Sequence, residues 1–445
     1  MIEGDSWYYK NDRYLAMALK WLRRRLERLA ERNEYDDAES VENQESSEPS
    51  ENSEEQEEPV QPEQGSFWSR LIPIFNDTPD SEDAVDKAVL DSSHADISDS
   101  YSKPIDDPSQ YEDQAWAENE MEAFEADERP PALIALSRAL GLNRFERNLL
   151  LLCAAMELDA RIPDLCARAQ GDHSRPYPTF ALAMALFNER PLDMLSPLRP
   201  LRYWRLIEIN QPPAYPLSIS PLRADERIVN YIKGLNYLDD RLGSLLTRIN
   251  VSGELSILPD SQKNVVKVIV RNIGISDSPP PVVQLLGIDG STKQMIAGYA
   301  SHELGKMLYY LPIQLIPQQL GEMETFSRLW QRECNLLSLA LYLDVHEFDH
   351  AQTSAQASFL SRFLDTSPGT FFMDARDRWT DLIRESIVLE TAKPKTSEQQ
   401  AAWSNALGLR SDGIPAKLAC QFDLNLSTIN QIAQRELHES DGGSL

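Results

Sequence analysis

Two short stretches of this chain carry residue types at spacings that could do chemistry. In Gly287-Ile288-Asp289-Gly290-Ser291-Thr292-Lys293-Gln294, Gly287 and Lys293 keep the separation of the first glycine and the lysine in the phosphate-binding pattern G-x-x-x-x-G-K-[ST]. Such a loop works when backbone N–H groups and a helix N-terminus converge on an anion and a lysine neutralises it. Two positions depart from the pattern. Thr292 stands where the second glycine would let backbone approach phosphate, and Gln294 stands where a hydroxyl would ligate magnesium.

The second stretch is LALYLDVHEFDH, residues 339–350, in which His346-Glu347-Phe348-Asp349-His350 spells the zinc-protease pattern H-E-x-x-H. Zinc at such a site needs both histidines on one helix face and a third protein ligand. No G-x-x-H follows His350, and nothing local singles out Glu385 or Glu390 as that ligand. His346 also comes only two residues after Asp344, which closes an apolar run. Asp344 lies about fifty residues beyond the glycine-bearing loop, where a carboxylate would hold the water shell of magnesium. Val345 follows it in place of a glutamate that could orient an attacking water. The nucleotide-site residues read from the sequence are therefore Gly287, Asp289, Gly290, Ser291, Thr292, Lys293 and Asp344, with ATP and magnesium as the ligands and no zinc site assigned.

The elements that must position these residues are legible as pattern. VVQLLG, IQLIP, LALYLD, TFFMD and IVLE are short apolar runs spaced widely enough for a helix between neighbours, which predicts a parallel sheet covered on both faces. The helix MIAGYASHELGKML follows the loop, and residues 398–435 read as helical throughout. Upstream, Gly141 reads as a helix terminator and Asn143 as the cap of FERNLLLLCAAMELD, followed by helices in IPDLCARAQ and TFALAMALF. Two short strands in LRPLRYWRLIEI and PAYPLSI and a helix in DERIVNYIKGL complete a winged-helix-like region. The stretch that would serve as its recognition helix, Thr179 to Phe187, is almost entirely apolar, so protein packing is expected there and not DNA.

Charge is distributed unevenly. Residues 34–128 hold 31 acidic and 3 basic residues, which accounts for the whole net charge of −28 and leaves the remainder neutral. That segment reads as a disordered acidic linker, apart from an apolar island SFWSRLIPIF (Ser66 to Phe75). Its charge counts against nucleic acid as a partner. Ahead of it, Leu15, Leu19, Leu22, Leu26 and Leu29 alternate with Lys20, Arg23, Arg24, Arg25 and Arg28, an amphipathic helix expected to pack on the chain's own globular part or on a sister subunit. Cys153, Cys166, Cys334 and Cys420 lack metal-site spacing and read as buried free thiols. With no signal peptide or membrane span in sight, a cytoplasmic protein without membrane partners is expected.

Several stretches resemble a known family. RALGLNRFERNLLLLCAAMELDAR, LCARAQGDHSRPYPTFALAMALF, LRYWRLIEIN and PLRADERIVNYIKGLNYLDDRL are similar to the N-terminal region of AAA+ ATPases of bacterial extracellular contractile injection systems, closely over about residues 130–245 and more loosely to about 435. The resemblance implies a winged-helix-like region ahead of a degenerate AAA+ module, mainly α with α/β, and usually a second, more intact module. It matches Gly287 to Lys293 to the phosphate loop, Asp344 to the magnesium carboxylate, TFFMDARDR to the fourth strand and SEQQAAWSNALGL to the start of a helical lid. LNLSTINQI lacks the arginine that often meets the γ-phosphate, and surface roles are expected for Arg376 and Arg378.

The expected organisation is an N-terminal helix (1–33), acidic linker (34–128), winged-helix-like domain (129–260), degenerate AAA+ module (261–391), helical lid (392–436) and tail (437–445). The chain ends near where the second module would begin, so hydrolysis is expected from another polypeptide. The function expected is an oligomeric assembly, cargo-handling or regulatory subunit with weak ATP binding, its partners being other AAA+ subunits and injection-system cargo. A non-enzymatic interaction scaffold is the alternative, ahead of a zinc protease.

Overall fold

The computed structural model describes residues 3–45, 118–189, 193–250, 258–274, 279–346, 354–391, 393–407 and 413–441. Most of the acidic linker, its apolar island, Glu347 to His350 and the last four residues lie outside the described residues. The chain divides into two compact units, one of residues 1–202 with 206–234, the other of 203–205 with 235–445. The boundary expected at 260 falls within the second of these units.

The first unit opens with α1 (Glu3–Glu45), which runs past the expected end at residue 33. A second helical stretch, residues 118–125, also falls inside the span read as linker. Next come α2 (Ala132–Leu140), α3 (Arg144–Leu158), α4 (Ile162–Ala169) and α5 (Phe180–Phe187). Gly141 ends α2 in the left-handed conformation, and Asn143 with Glu146 forms a full capping box on α3. α1 packs against α3, α4 and α5, burying Tyr14, Leu15, Ala18, Trp21, Leu22, Leu26 and Ala30. The seam is broader than the leucines alone predict, because Trp21 stacks on Phe187 at 6.0 Å. Asn11, buried, donates to the Ile232 carbonyl at 3.0 Å and accepts from the Ala132 N–H at 2.8 Å.

β1 (Ile207–Ile209) pairs antiparallel with β2 (Leu222–Ala224), and α6 (Glu226–Ile232) follows. PAYPLSI is therefore not the second strand. Pro213 and Pro216 have no N–H to give a ladder, and Leu217–Ile219 forms a 3-10 turn instead. α5, the apolar segment, buries Phe180, Ala181, Leu182, Ala183, Leu186 and Phe187.

In the second unit β3 (Thr247–Ile249) and α7 (Asp260–Gly274) precede β4 (Val282–Leu286) and α8 (Gly290–Glu303). β5 (Met307–Pro312), α9 (Leu320–Leu336), β6 (Leu339–Asp344), α10 (Ser354–Thr366), β7 (Thr370–Ala375) and β8 (Ser386–Glu390) complete a six-stranded sheet of order β3-β5-β6-β7-β4-β8. All neighbours are parallel except the edge pair β3 and β5. The strand expected at IQLIP lies one step earlier, at MLYYLP: Pro312 ends the ladder and Ile313–Leu315 turns as a 3-10 helix. α8 likewise stops before Gly305, so KML belongs to the following turn and strand.

Alternate residues of each central strand serve opposite faces. Leu341, Leu343, Phe371 and Met373 pack with Phe326, Trp330 and Phe363, while Ala340, Tyr342 and Phe372 pack with Ile269, Ile296 and Ala300. Gln284, in the middle of β4, accepts from the Trp379 N–H at 2.8 Å and donates to the Trp379 carbonyl and the Ser386 hydroxyl. α11 (Thr396–Leu407), α12 (Ile414–Gln421) and α13 (Leu426–Asp441) enclose a small core of Trp403, Ala419, Ile429 and Ala433.

Cys153 and Cys166 are buried free thiols, and burial pushes Cys166 up to about 12. Cys334 is half-buried and Cys420 exposed, so the expectation of four buried thiols holds for two. Among the described residues no helix is long and apolar enough to cross a membrane.

Candidate nucleotide site

β4 lies between β7 and β8, both later in the chain, so strand order reverses at β4. In open α/β sheets ligands bind outside the carboxyl ends of the strands at such a reversal. The glycine-bearing loop, Asp344 and the end of β7 all meet there.

Only three residues, Gly287, Ile288 and Asp289, join β4 to α8. Gly287 has φ +137°, and a Cβ on it would meet the Thr391 carbonyl oxygen at 2.8 Å, so the turn requires glycine. Ile288 is 87% exposed at the tip. Asp289 caps α8: its carboxylate accepts from the Ser291 N–H at 3.2 Å and from the Thr292 hydroxyl at 2.6 Å. A carboxylate of the chain itself thus sits at the positive end of the helix. Ser291 is exposed, Thr292 buried and Gln294 half-buried.

Lys293 is 0% exposed. Its ammonium pairs with the carboxylate of Asp374, itself 4% exposed, and donates to the carbonyls of Gly287 at 2.8 Å and Ala375 at 3.3 Å. His346 Nδ1 lies 3.4 Å from the ammonium and 3.5 Å from Asp374. The other Asp374 oxygen accepts from the Tyr342 hydroxyl at 2.8 Å. Burial, then the Asp374 charge and hydrogen bond, push the Tyr342 hydroxyl far above the ordinary tyrosine range, so it stays a neutral donor.

Asp344 stands directly across from Asp374 in the β6–β7 register. Its two oxygens accept from the Tyr310 hydroxyl at 2.7 Å and the His346 N–H at 3.2 Å. Burial and that hydrogen bond raise the Tyr310 hydroxyl well above its usual range. Lys293 and Asp344 are thus linked through His346 and Asp374, not by direct contact.

The structure brings all seven residues read from the sequence to one end of the sheet, and adds four that the reading passed over: Tyr310, Tyr342, His346 as a partner of Lys293, and Asp374. A signal for Asp374 was present. LALYLD and TFFMD are both apolar runs closed by aspartate, and neighbouring parallel strands of equal length place such ends side by side.

Residues 4–246, more than half of the chain, match the family described as winged helix domain, variant. The chain belongs to that family. Residues 395–445 match the contractile injection system ATPase helical domain, which spans α11 to α13. The C-terminal end of the chain is thus similar to the helical domain of contractile injection system ATPases. Among solved structures, the crystal structure of the FIGL-1 AAA domain aligns at 15% identity and a TM-score of 0.35, covering 45% of this chain and 78% of that one. No curated protein matches the sequence.

Proposed function

We propose that this chain is a cytoplasmic, oligomer-forming assembly or cargo-handling subunit of a contractile injection system, engaging protein partners through a AAA+-like framework without hydrolysing ATP itself. The observation that carries the reading is the setting of Lys293: a buried ammonium paired with the buried Asp374 carboxylate and donating to the carbonyls of Gly287 and Ala375. A triphosphate would have to displace Asp374, and the helix terminus beneath it is already capped by Asp289.

Magnesium is also poorly served: Gln294 offers only a neutral amide where a hydroxyl ligand is needed, and each Asp344 oxygen, holding one hydrogen bond already, keeps a single lone pair for a metal-bound water. As they stand, Gly287, Asp289, Gly290, Ser291, Thr292, Lys293 and Asp344 do not fit a magnesium nucleotide. The zinc reading gains no support either, since His346 faces Lys293 and Asp374. Among the described residues no three His, Cys, Asp or Glu side chains are grouped to hold a metal ion.

Calorimetric titration of the full chain with ATP and magnesium tests the reading. No saturation is expected up to millimolar nucleotide, together with phosphate release at the buffer rate. Saturable binding at micromolar ATP, or turnover abolished by Lys293→Met, would refute it.

A further inference from the structure

We propose that Asp374 is the specificity-determining residue of the Lys293 crevice: its carboxylate takes the place of a phosphate and thereby excludes phosphate-bearing ligands from a site otherwise laid out for them. The proposal rests on the preceding reading and explains it by one residue.

Three features hold the carboxylate in position. Lys293 binds one oxygen and the Tyr342 hydroxyl the other, so the group cannot turn aside without leaving one partner unmatched. Gly290, the first residue of α8, gives it room: a Cβ there would come within 3.2 Å of the Asp374 carboxylate. The carboxylate therefore lies over the start of the helix, where the lysine favours an anion beside a terminus that Asp289 already caps. An incoming phosphate would meet a fixed negative charge at close range in a site with little water to screen it. Serine at 374 would remove the charge and vacate the space the carboxylate fills, whereas asparagine would remove the charge alone. Lys293 would then remain buried with only neutral acceptors, and a charge so placed recruits an anion of suitable size. The ligand class is a terminal phosphate, from pyrophosphate or from a nucleoside triphosphate.

The test uses the full chain as wild type, Asp374→Asn, Asp374→Ser and the double variant Lys293→Met/Asp374→Ser. Each is titrated with inorganic pyrophosphate and with ATP, with and without magnesium, and followed by calorimetry and thermal unfolding. Expected are no saturation for wild type and a gain of at least about tenfold in pyrophosphate affinity for Asp374→Ser, larger than for Asp374→Asn, with a Tm that rises as pyrophosphate is added. The double variant is expected to lose both. ATP arms that match pyrophosphate assign the site to phosphate alone; tighter ATP binding assigns it to the nucleotide.

A folded Asp374→Ser no better than wild type overturns this proposal and leaves the preceding reading intact. Equal binding by the double variant overturns it too, because the anion would then sit elsewhere. Wild type that saturates at micromolar ATP instead refutes the preceding reading, and this one with it. Should neither single variant fold even with pyrophosphate present, the proposal also fails, since an anion that replaces the carboxylate would restore the pair.

Discussion

Buried charge in the second unit is held by pairing, and the cluster around Asp239 shows what pairing does to stability. Arg332 and Glu333 are both fully buried, and Arg332 binds the Asp239 carboxylate, which also accepts from Arg241 at 2.6 Å. Burial alone would raise the Asp239 carboxyl, but the Arg241 hydrogen bond and the Arg332 and Arg241 charges outweigh it and hold it below the usual range. A depressed carboxyl contributes stability that is present above the unfolded value of about 3.9 and is lost as pH falls through the lower folded value. Asp239→Asn is therefore expected to cost ~1.5–3 kcal/mol at pH 7, because Arg332 loses the charge of one of the two buried carboxylates it binds and keeps Glu333. Denaturant unfolding at pH 7 and at pH 3 should show the gap to wild type narrowing at the lower pH. A gap of equal size at both values would contradict the account. At this scale the sequence identified Lys293 and Asp344 by motif position, whereas Tyr310, Tyr342 and Asp374 follow only from which strands become neighbours.

Elements were most legible where the signal is local. Asn143 with Glu146 three residues on, Gly141 just past a helix and Thr179 ahead of an apolar run each mark a terminus by the hydrogen bond or conformation they supply. Proline caused the misplacements. Pro216 and Pro312 interrupt ladders inside stretches whose apolar content alone suggests strand, moving β2 and β5 away from PAYPLSI and IQLIP. α1 shows the limit of periodicity in another way. A leucine seam reports that a helix has an apolar face, but the identity of the surface that covers it depends on α3, α4 and α5. Leu26, fully buried on that face, is a strong test. Leu26→Ala is expected to destabilise the first unit by ~2–5 kcal/mol in thermal or denaturant unfolding. A change under about 0.5 kcal/mol would show that α1 is only loosely attached.

For the molecule as a whole, composition predicted that the acidity belongs to one segment, and pattern predicted a layered α/β unit, while the order of its strands stayed hidden. Strand order is set by which crossovers bury the most apolar surface, and runs as alike as LALYLD and TFFMD do not announce their neighbours. β3 was hidden for a different reason: three residues, mostly exposed, carry almost no pattern of their own.

That order also has a temporal side. Among the described residues β4 has two ladder partners, β7 and β8, whose residues leave the ribosome about ninety to a hundred positions later. Until Ala375 has emerged, the strand bearing the lysine turn has no ladder to join, and Gln284 has neither Trp379 nor Ser386 to gauge its register. The nascent chain must carry that apolar stretch unpaired through the making of three helices, which is where a chaperone would find it.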